Sequence, residues 1–188
     1  HDVLLTREPG GSKGAEEIRH LLVTGEPGRW LPLTEAMLVN AARQEHLART
    51  IRPALAAGTW VLCDRFADST IAYQGYGMGV DRAQLATLER IPVGETRPDL
   101  TLVMDIDPAA GIARTLSRAA DKGPSDKSAA EDRYERMGAE FHARLRDGFR
   151  AIAAADPGRC HVVDAAQPVD VVAAAIRAIL SDRLGVAP

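Results

Sequence analysis

Two charged residues, Asp64 and Arg65, follow directly on a short apolar run at residues 60–63, WVLC. The run predicts a buried strand, and open α/β sheets bind their ligands at the carboxyl ends of the strands. A carboxylate beside a guanidinium suits a phosphorylated substrate bound with Mg²⁺, because the carboxylate can hold the hydrated ion while the guanidinium forks onto phosphate oxygens. A helix-capping aspartate and a surface arginine are the alternative interpretation of this pair.

Polar side chains of three further kinds come soon after the pair. They are a hydroxyl pair, a phenol and an amide at helical spacing or next to it: Ser69, Thr70, Tyr73 and Gln74. One short helix can therefore turn all of them toward a common pocket. A helix that only fills a core rarely needs so many polar groups. The pattern favours a ligand site that begins at the end of the strand and continues along the next helix.

The size and charge of the chain restrict its class. With 188 residues, 46% of them hydrophobic, it has the size of one domain with a sizeable core. Its 23 basic and 26 acidic residues are mixed along the sequence, so no broad basic face is expected for nucleic acid. No apolar run approaches the roughly 20 residues of a membrane span, and the first residues lack the pattern of a secretory signal. We therefore expect a cytoplasmic protein without nucleic-acid or membrane partners, whose cysteines, Cys63 and Cys160, are reduced core thiols.

Strand patterns alternate with helix patterns along the whole chain, which predicts a parallel, three-layered α/β domain. Strands are predicted at 3–5, 60–63, 100–104 and 161–163. Helices are predicted at 15–22, 34–57, 81–90, 136–155 and 169–184, with another that opens at Asp107-Pro108. Thr34 is the predicted N-cap of the long 34–57 helix, and Pro53 should bend it or split off its last turn. Its apolar residues cover more than one stripe, so this helix either lies wholly inside one core or also forms a dimer interface.

The motif DRF-x-x-ST-x-AYQG at 64–75 resembles the central signature of thymidylate kinases, the enzymes that phosphorylate dTMP to dTDP. Four other blocks occur in the order of that family: LLTREPGG at 4–11, RPDLTLVMDI at 97–106, EDRYER at 131–136 and VVDAAQP at 162–168. The resemblance covers nearly the whole chain. It implies a P-loop kinase-like α/β domain that uses ATP and Mg²⁺ and forms a homodimer through the 34–57 helix.

The resemblance also implies the phosphate and sugar contacts. Arg65 would clamp the phosphate of dTMP, Asp64 would support Mg²⁺, and Tyr73 would pack against the deoxyribose. The loop Arg7-Glu8-Pro9 borders the nucleotide monophosphate site in the family, with a cis bond expected at Glu8–Pro9. A solvated loop pair is the alternative for its two charged residues. Tyr134 resembles a position on the deoxynucleotide side of the cleft.

Base recognition is implied for a second group of residues. Arg43 corresponds to an arginine that donates to O4 of thymine, and it would face the amino group of cytosine unfavourably. An ordinary surface charge is the alternative for Arg43. Ser69, Thr70 and Gln74 would complete the nucleotide site from the following helix. Val39 departs from the family, which usually has a phenylalanine stacked on the base at this place, so weaker binding or compensation by another side chain is expected.

The polar segment 119–131 is expected to be mobile and lies within a predicted lid, at about 114–135, that closes over phosphates. Arg114, Arg118 and Arg133 flank the segment, and Arg133 is the first choice for the arginine that meets developing charge. An unspecialised surface loop is the alternative. The resemblance places Ala165 and Gln167 near the adenine of ATP.

The glycine-rich GGSKG at 10–14 lacks the spacing and trailing hydroxyl of a Walker A loop. The sequence begins inside the segment that resembles the family's second strand, so the N-terminal βα unit is expected to be missing and this chain to bind dTMP better than it turns over ATP. Two alternatives stay open. One is a kinase for another nucleoside monophosphate, and the other is a non-catalytic nucleotide-binding module that dimerises.

Overall fold

Parallel strands occur as two separate pairs in the computed structural model, which describes residues 2–122 and 132–186. The pairs are β1 (Val3–Arg7) with β2 (Trp60–Asp64), and β3 (Thr101–Asp105) with β4 (Cys160–Asp164). The register sets Arg7 opposite Asp64 and Asp105 opposite Asp164. Charged residues therefore gather at the carboxyl end of each pair, the edge at which α/β proteins bind ligands.

Helices connect the strands in sequence order. They are α1 (Lys13–Val23), α2 (Pro32–His46), α3 (Arg52–Ala56), α4 (Ala67–Thr70), α5 (Arg82–Val93), α6 (Pro108–Lys122), α7 (Ala139–Ala155) and α8 (Val169–Leu184). A π-helical segment, Leu47–Ile51, joins α2 to α3, and another, Ile71–Gly77, continues α4. The α/β class with parallel strands is thereby confirmed. No helix in the described part of the chain combines the length and apolar character needed to cross a bilayer.

The long helix begins earlier than predicted and ends within one residue of the predicted Ala57. Its α2 part begins at Pro32 with Leu31 as the N-cap, so the prediction of Thr34 as the cap was wrong. Proline suits this first position because its missing N–H has no helical partner there. Pro53 lies in the first turn of α3, directly after the π-helical segment, and the backbone stays helical through Ile51 and Arg52, so the last turn is not split off.

The buried residues form three apolar clusters, and two of them include residues of the helix that follows β2. The face of α7 predicted to be buried packs on β3, β4 and the 71–77 segment through Phe141, Leu145 and Ile152. Leu47, Ile51, Ala67 and Val93 form a second cluster, and Leu22, Val23 and Val39 a third. Because Ala67 and Ala72 belong to two of these clusters, they anchor α4 and its extension, which carry the polar residues between 69 and 74.

Both cysteines are free thiols, as predicted. Burial raises the pKa of Cys63, and the nearby carboxylates of Glu8 and Asp64 raise it further. Burial also raises the pKa of Cys160. The two side chains are therefore protonated at neutral pH and serve as small apolar groups.

Asp105 links β3 to α7 through an ion pair whose strength depends on pH. Its carboxylate accepts hydrogen bonds from Arg146 Nε at 2.7 Å and Arg146 Nη2 at 3.0 Å. These bonds lower the pKa of Asp105 below its ordinary value of 3.8, although partial burial opposes them. Because the pKa is lower in the folded state, the stabilisation is complete above about pH 4 and is lost as pH falls through the folded-state pKa.

The Arg146→Met variant should lose this dependence. We expect its free energy of unfolding to fall less steeply than that of the wild type between about pH 5 and pH 2, because the Asp105 pKa returns toward the unfolded value. Urea denaturation at a series of pH values measures the slope. Asp105→Asn, which removes the titrating group, should be equally shallow. An unchanged slope in Arg146→Met would show that the ion pair does not contribute.

Candidate nucleotide-binding site

Arg65 directly follows β2, and its backbone adopts a left-handed conformation that residues other than glycine rarely adopt. Its φ is 71°, and within the described residues it is the one non-glycine position with a positive φ. Such strain costs about 1–3 kcal/mol and persists where the surroundings impose it, often at functional sites. The Glu8 N–H donates to the Asp64 carbonyl at 2.9 Å, which ties the loop after β1 to this turn.

The Arg65 side chain is exposed and packs on an aromatic ring. The central carbon of its guanidinium lies 4.9 Å from the centroid of Tyr73, within range of a cation–π contact. Desolvation by the surrounding protein lowers the pKa of Arg65, but Tyr73 and Asp64 outweigh it and the pKa is raised. Within the described residues Arg65 forms no ion pair closer than 4 Å, so its charge remains available to a ligand at the strand end.

Arg43, in contrast to the exposed Arg65, is buried. It is 1% exposed, and each of its three kinds of donor has a partner. Nε donates to Glu8 Oε2 at 2.8 Å, Nη1 to Asn40 Oδ1 at 3.2 Å, and Nη2 to Thr70 Oγ1 at 3.0 Å. The structure therefore brings Arg43 and Thr70 together, and the alternative of Arg43 as a surface charge is wrong.

Glu8 turns inward rather than toward Arg65. Its carboxylate is 3% exposed and binds Arg43 on one oxygen and His46 Nδ1, at 3.1 Å, on the other. The other ring nitrogen of His46, Nε2, forms a hydrogen bond of 2.7 Å with Thr6 Oγ1. Glu8 therefore positions Arg43 in this structure. The contribution of His46 to this group was not predicted from the sequence. Its spacing of three residues from Arg43 on one helix was the available signal.

Gly11 makes close packing against His46 possible. It has a φ of +84°, and a Cβ there would overlap the His46 ring and lie 2.6 Å from Thr6 Oγ1. Gly11→Ala should therefore lower the free energy of unfolding by about 2–5 kcal/mol, the sum of backbone strain and overpacking.

Gly28→Ala is the matched control for this substitution. Gly28 has nearly the same φ, +80°, but a Cβ added there would meet no atom within 4 Å, so only the backbone strain remains. That strain alone costs about 1–2 kcal/mol. Urea denaturation compares the two variants. Equal losses at both positions would contradict the packing role of Gly11.

Glu35 forms a second buried centre, which sequence reasoning also missed. Its carboxylate is 0% exposed and accepts from Gln74 Nε2 at 2.9 Å and from the Tyr134 hydroxyl at 2.9 Å. Arg133 Nη2 binds the other oxygen. Burial and the Glu35 charge raise the pKa of Tyr134, so its hydroxyl stays a donor. The spacing of four residues between Glu35, Val39 and Arg43 places them on one face of the helix. This spacing was the one signal in the sequence for the position of Glu35.

Tyr73 and Tyr134 connect the guanidinium of Arg65 to the buried Glu35 centre. Their rings meet edge to face with centroids 5.2 Å apart. Tyr134 also packs against the apolar cluster that contains Val39, which is itself buried. An aromatic ring therefore packs on the apolar cluster to which Val39 belongs.

Other predicted site residues lie farther out. Arg7 pairs with Glu16 at 3.1 Å on the surface, and Pro9, after the cis bond confirmed at Glu8–Pro9, accepts from Arg19 at 2.9 Å. Ser69 is half-buried, and its N–H donates to the Phe66 carbonyl at 3.0 Å.

The predicted ATP contacts meet at the end of β4. Arg114 donates to the Ala165 carbonyl at 2.7 Å, and Gln167 Nε2 donates to Asp164 Oδ2 at 2.8 Å. The Arg118 side chain and the lid residues 123–131 lie outside the described part of the chain. Arg133, the first choice for the lid arginine, is buried: it binds Glu35 and donates to the Leu22 carbonyl at 2.6 Å.

The described residues contain no group of three or more histidine, cysteine or acidic side chains arranged to hold a metal. Asp64 is exposed at the strand end and offers a single carboxylate. That suits Mg²⁺, which keeps several waters and binds through one or two carboxylates together with substrate phosphates. Asp64 would hold such an ion by its carboxylate.

An exposed guanidinium and carboxylate at a strand end, beside buried hydrogen-bonding side chains, fit the class of α/β proteins that bind phosphorylated ligands. The family model for thymidylate kinase matches residues 1–176. The thymidylate kinase of Caulobacter vibrioides is 49% identical over 185 residues, which is 98% of this chain and 84% of that protein. The one from Jannaschia sp. is 50% identical over 183 residues, 97% of this chain and 83% of that protein.

A solved structure agrees with these relatives. The crystal structure of thymidylate kinase from Ehrlichia chaffeensis superposes with a TM-score of 0.72 at 32% identity, and the match covers 95% of this chain and 81% of that one. The chain belongs to the thymidylate kinase family. It is thus an enzyme of the nucleoside monophosphate kinase class, and the P-loop kinase-like fold class predicted from the sequence is confirmed.

Proposed function

We propose that this protein phosphorylates dTMP to dTDP with ATP, and that dTMP lies with its phosphate at Arg65 and its thymine toward Arg43. One observation carries the orientation. The helix that follows β2 contacts an exposed guanidinium, that of Arg65, through Tyr73 and a buried one, that of Arg43, through Thr70. The charged phosphate suits the exposed guanidinium, because burying a charge costs free energy, whereas the neutral base can be buried where its polar atoms are hydrogen-bonded.

At the phosphate end, Arg65 clamps the acceptor phosphate and the Tyr73 ring holds the guanidinium in place. The Asp64 carboxylate would hold Mg²⁺, and the ion would supply charge neutralisation for the phosphates. The acceptor phosphate is already a nucleophile, so the protein has only to align it and to stabilise the charge. No covalent intermediate is needed.

At the base end, Arg43 donates to O4 of thymine. Glu8, Asn40 and Thr70 fix the plane of its guanidinium, so a donor is pre-oriented there. Cytosine would present its amino group to this donor, a mismatch that costs about 1–3 kcal/mol. Tyr73 packs against the deoxyribose, and Tyr134, which packs on the apolar cluster of Val39, provides the aromatic surface that the valine lacks.

The proposed ATP contacts lie after β4, in the strand pair β3–β4. Ala165 and Gln167 contact the adenine, and Arg114 supports their loop through the Ala165 carbonyl. Arg118 is the arginine to which we assign the stabilisation of the charge that develops on the transferred phosphoryl group. Arg133 is held by the Glu35 carboxylate and the Leu22 carbonyl and is not assigned a contact with ATP.

The protein forms a homodimer through α2. Met37 is 50% exposed on this helix, and with Leu33 and Leu88 it lines a shallow apolar groove between α2 and α5. Such an apolar groove suits a symmetric contact with a second copy of the chain. Met37→Glu should therefore shift the protein from dimer to monomer in light scattering after gel filtration, whereas Val169→Glu, at an exposed position on α8, should not. A monomeric wild type, or a dimer that survives Met37→Glu, would contradict this interface.

A coupled assay of ADP formation tests the proposed reaction. Activity with dTMP should exceed activity with dCMP by about one to two powers of ten, since the Arg43 donor faces the amino group of cytosine. Equal use of dCMP or UMP would favour a kinase for another nucleoside monophosphate. Tight dTMP binding without ADP formation would favour the non-catalytic nucleotide-binding module.

A further inference from the structure

Glu35 is a carboxylate without contact to solvent, and each of its observed partners is a donor. Gln74 and Tyr134 donate to Oε1, and Arg133 donates to Oε2. Arg133 compensates the charge, which explains how the carboxylate is tolerated in the interior. One of its partners, Gln74, belongs to the base-binding group of the proposed function.

The carboxylate decides which way the Gln74 amide points. An ionised carboxylate only accepts, so the amide must present its NH₂ group to Glu35 and its Oε1 to the other side. Within the described residues the Gln74 side chain has no second hydrogen bond, and Oε1 is not among the fully enclosed atoms without partners. Gln74 is only 2% exposed, and its carbonyl oxygen keeps part of this small accessible surface.

We propose that Glu35 is a positioning residue that determines base specificity, because it turns Gln74 Oε1 outward to accept the N3–H of thymine. This inference rests on the proposed function. Thymine carries a proton on N3, whereas cytosine N3 is an acceptor and would face the Gln74 oxygen unfavourably. Arg43 and Gln74 then read adjacent atoms of the same base edge, O4 and N3. A protein that recognises the two atoms together rejects cytosine twice.

Glu35→Gln should reverse the Gln74 amide. The charged Arg133 takes the new amide's oxygen, because a cation binds that acceptor more strongly than neutral donors do. The NH₂ group of residue 35 then faces Gln74, which must turn its own oxygen inward and its NH₂ group toward the base. That arrangement opposes N3–H of thymine and suits N3 of cytosine. We expect the ratio of the dCMP to the dTMP dissociation constant to fall at least about tenfold.

Isothermal titration calorimetry with dTMP and dCMP measures this ratio without ATP. Glu89→Gln is the matched control, since Glu89 is also buried and paired with an arginine, Arg97, at 3.2 Å, but lies on α5. Its ratio should equal that of the wild type. A folded Glu35→Gln with the wild-type ratio overturns the proposal, whereas a wild type that does not bind dTMP refutes the proposed function instead.

Glu35→Asp decides the question if Glu35→Gln does not fold. It keeps the negative charge beside Arg133 but has a shorter side chain, so the carboxylate moves away from Gln74. The ratio of the dCMP to the dTMP dissociation constant should therefore fall, by a smaller factor than in Glu35→Gln. An unchanged ratio overturns the proposal. Hydrogen exchange in the wild type gives a readout that needs no variant. The Gln74 side-chain NH₂ protons should be protected both before and after dTMP binds, because Glu35 holds them. Rapid exchange in either state would overturn the assignment.

Discussion

Arg65→Ala is expected to lower turnover of dTMP by about three powers of ten, because the guanidinium at the end of β2 is the group proposed to clamp the acceptor phosphate. The loss should be specific to the phosphate. Binding of dTMP should weaken to nearly the level of thymidine, and binding of thymidine should change little. Calorimetric titrations of both ligands, with a steady-state assay of ADP formation, measure these effects.

The control for this variant is Arg183→Ala. Arg183 is a partly exposed arginine on α8 whose observed ion pair is with its neighbour Asp182, so its removal should leave both ligands unaffected. Near-normal turnover in a folded Arg65→Ala would remove Arg65 from the site. An equal loss for dTMP and thymidine would mean that Arg65 supports the pocket rather than the phosphate.

Arg43→Ala is expected to destabilise the protein by about 3–5 kcal/mol, because it leaves the buried Glu8 carboxylate without its cationic partner. Asn40 and Thr70 lose their donor at the same time. Urea denaturation monitored by circular dichroism gives the free energy of unfolding. Weaker discrimination between dTMP and dCMP should accompany the loss in any fraction that remains folded.

Arg49→Ala is the matched control on the same continuous helix. Arg49 is exposed and pairs with Glu45 at 3.6 Å, so its removal should cost only about 0–1 kcal/mol. Replacing Arg43 and Glu8 together by methionine should cost less than Arg43→Ala alone, since no unpaired charge remains. A loss below about 1 kcal/mol for Arg43→Ala would contradict the buried ion pair.

Much of the framework was predictable because it depends on local pattern. Each strand is a short apolar run that ends in a charged residue, and α8 has the predicted bounds, 169–184. The strand end at Asp64 and Arg65 followed from the same rule. Helix starts were less certain: α7 begins at Ala139 rather than Arg136, because Gly138 adopts the extended conformation of an N-cap.

The buried polar contacts were not predictable from local pattern. Glu35 meets an arginine 98 residues farther along the chain, and His46 meets Glu8 across 38 residues. A glutamate in a helix is more often a solvated residue, and only the packed structure reveals that its partners are donors. The same reason explains Arg133, which the sequence assigns to a lid and the structure places in a buried ion pair.

The structure of the protein crystallised with dTMP tests the central claim most directly. We expect the phosphate oxygens to lie within about 3 Å of the Arg65 guanidinium, with thymine O4 toward Arg43 and N3 toward Gln74. A phosphate bound elsewhere, or a base directed away from Arg43 while Arg65 remains in solvent, would contradict the account.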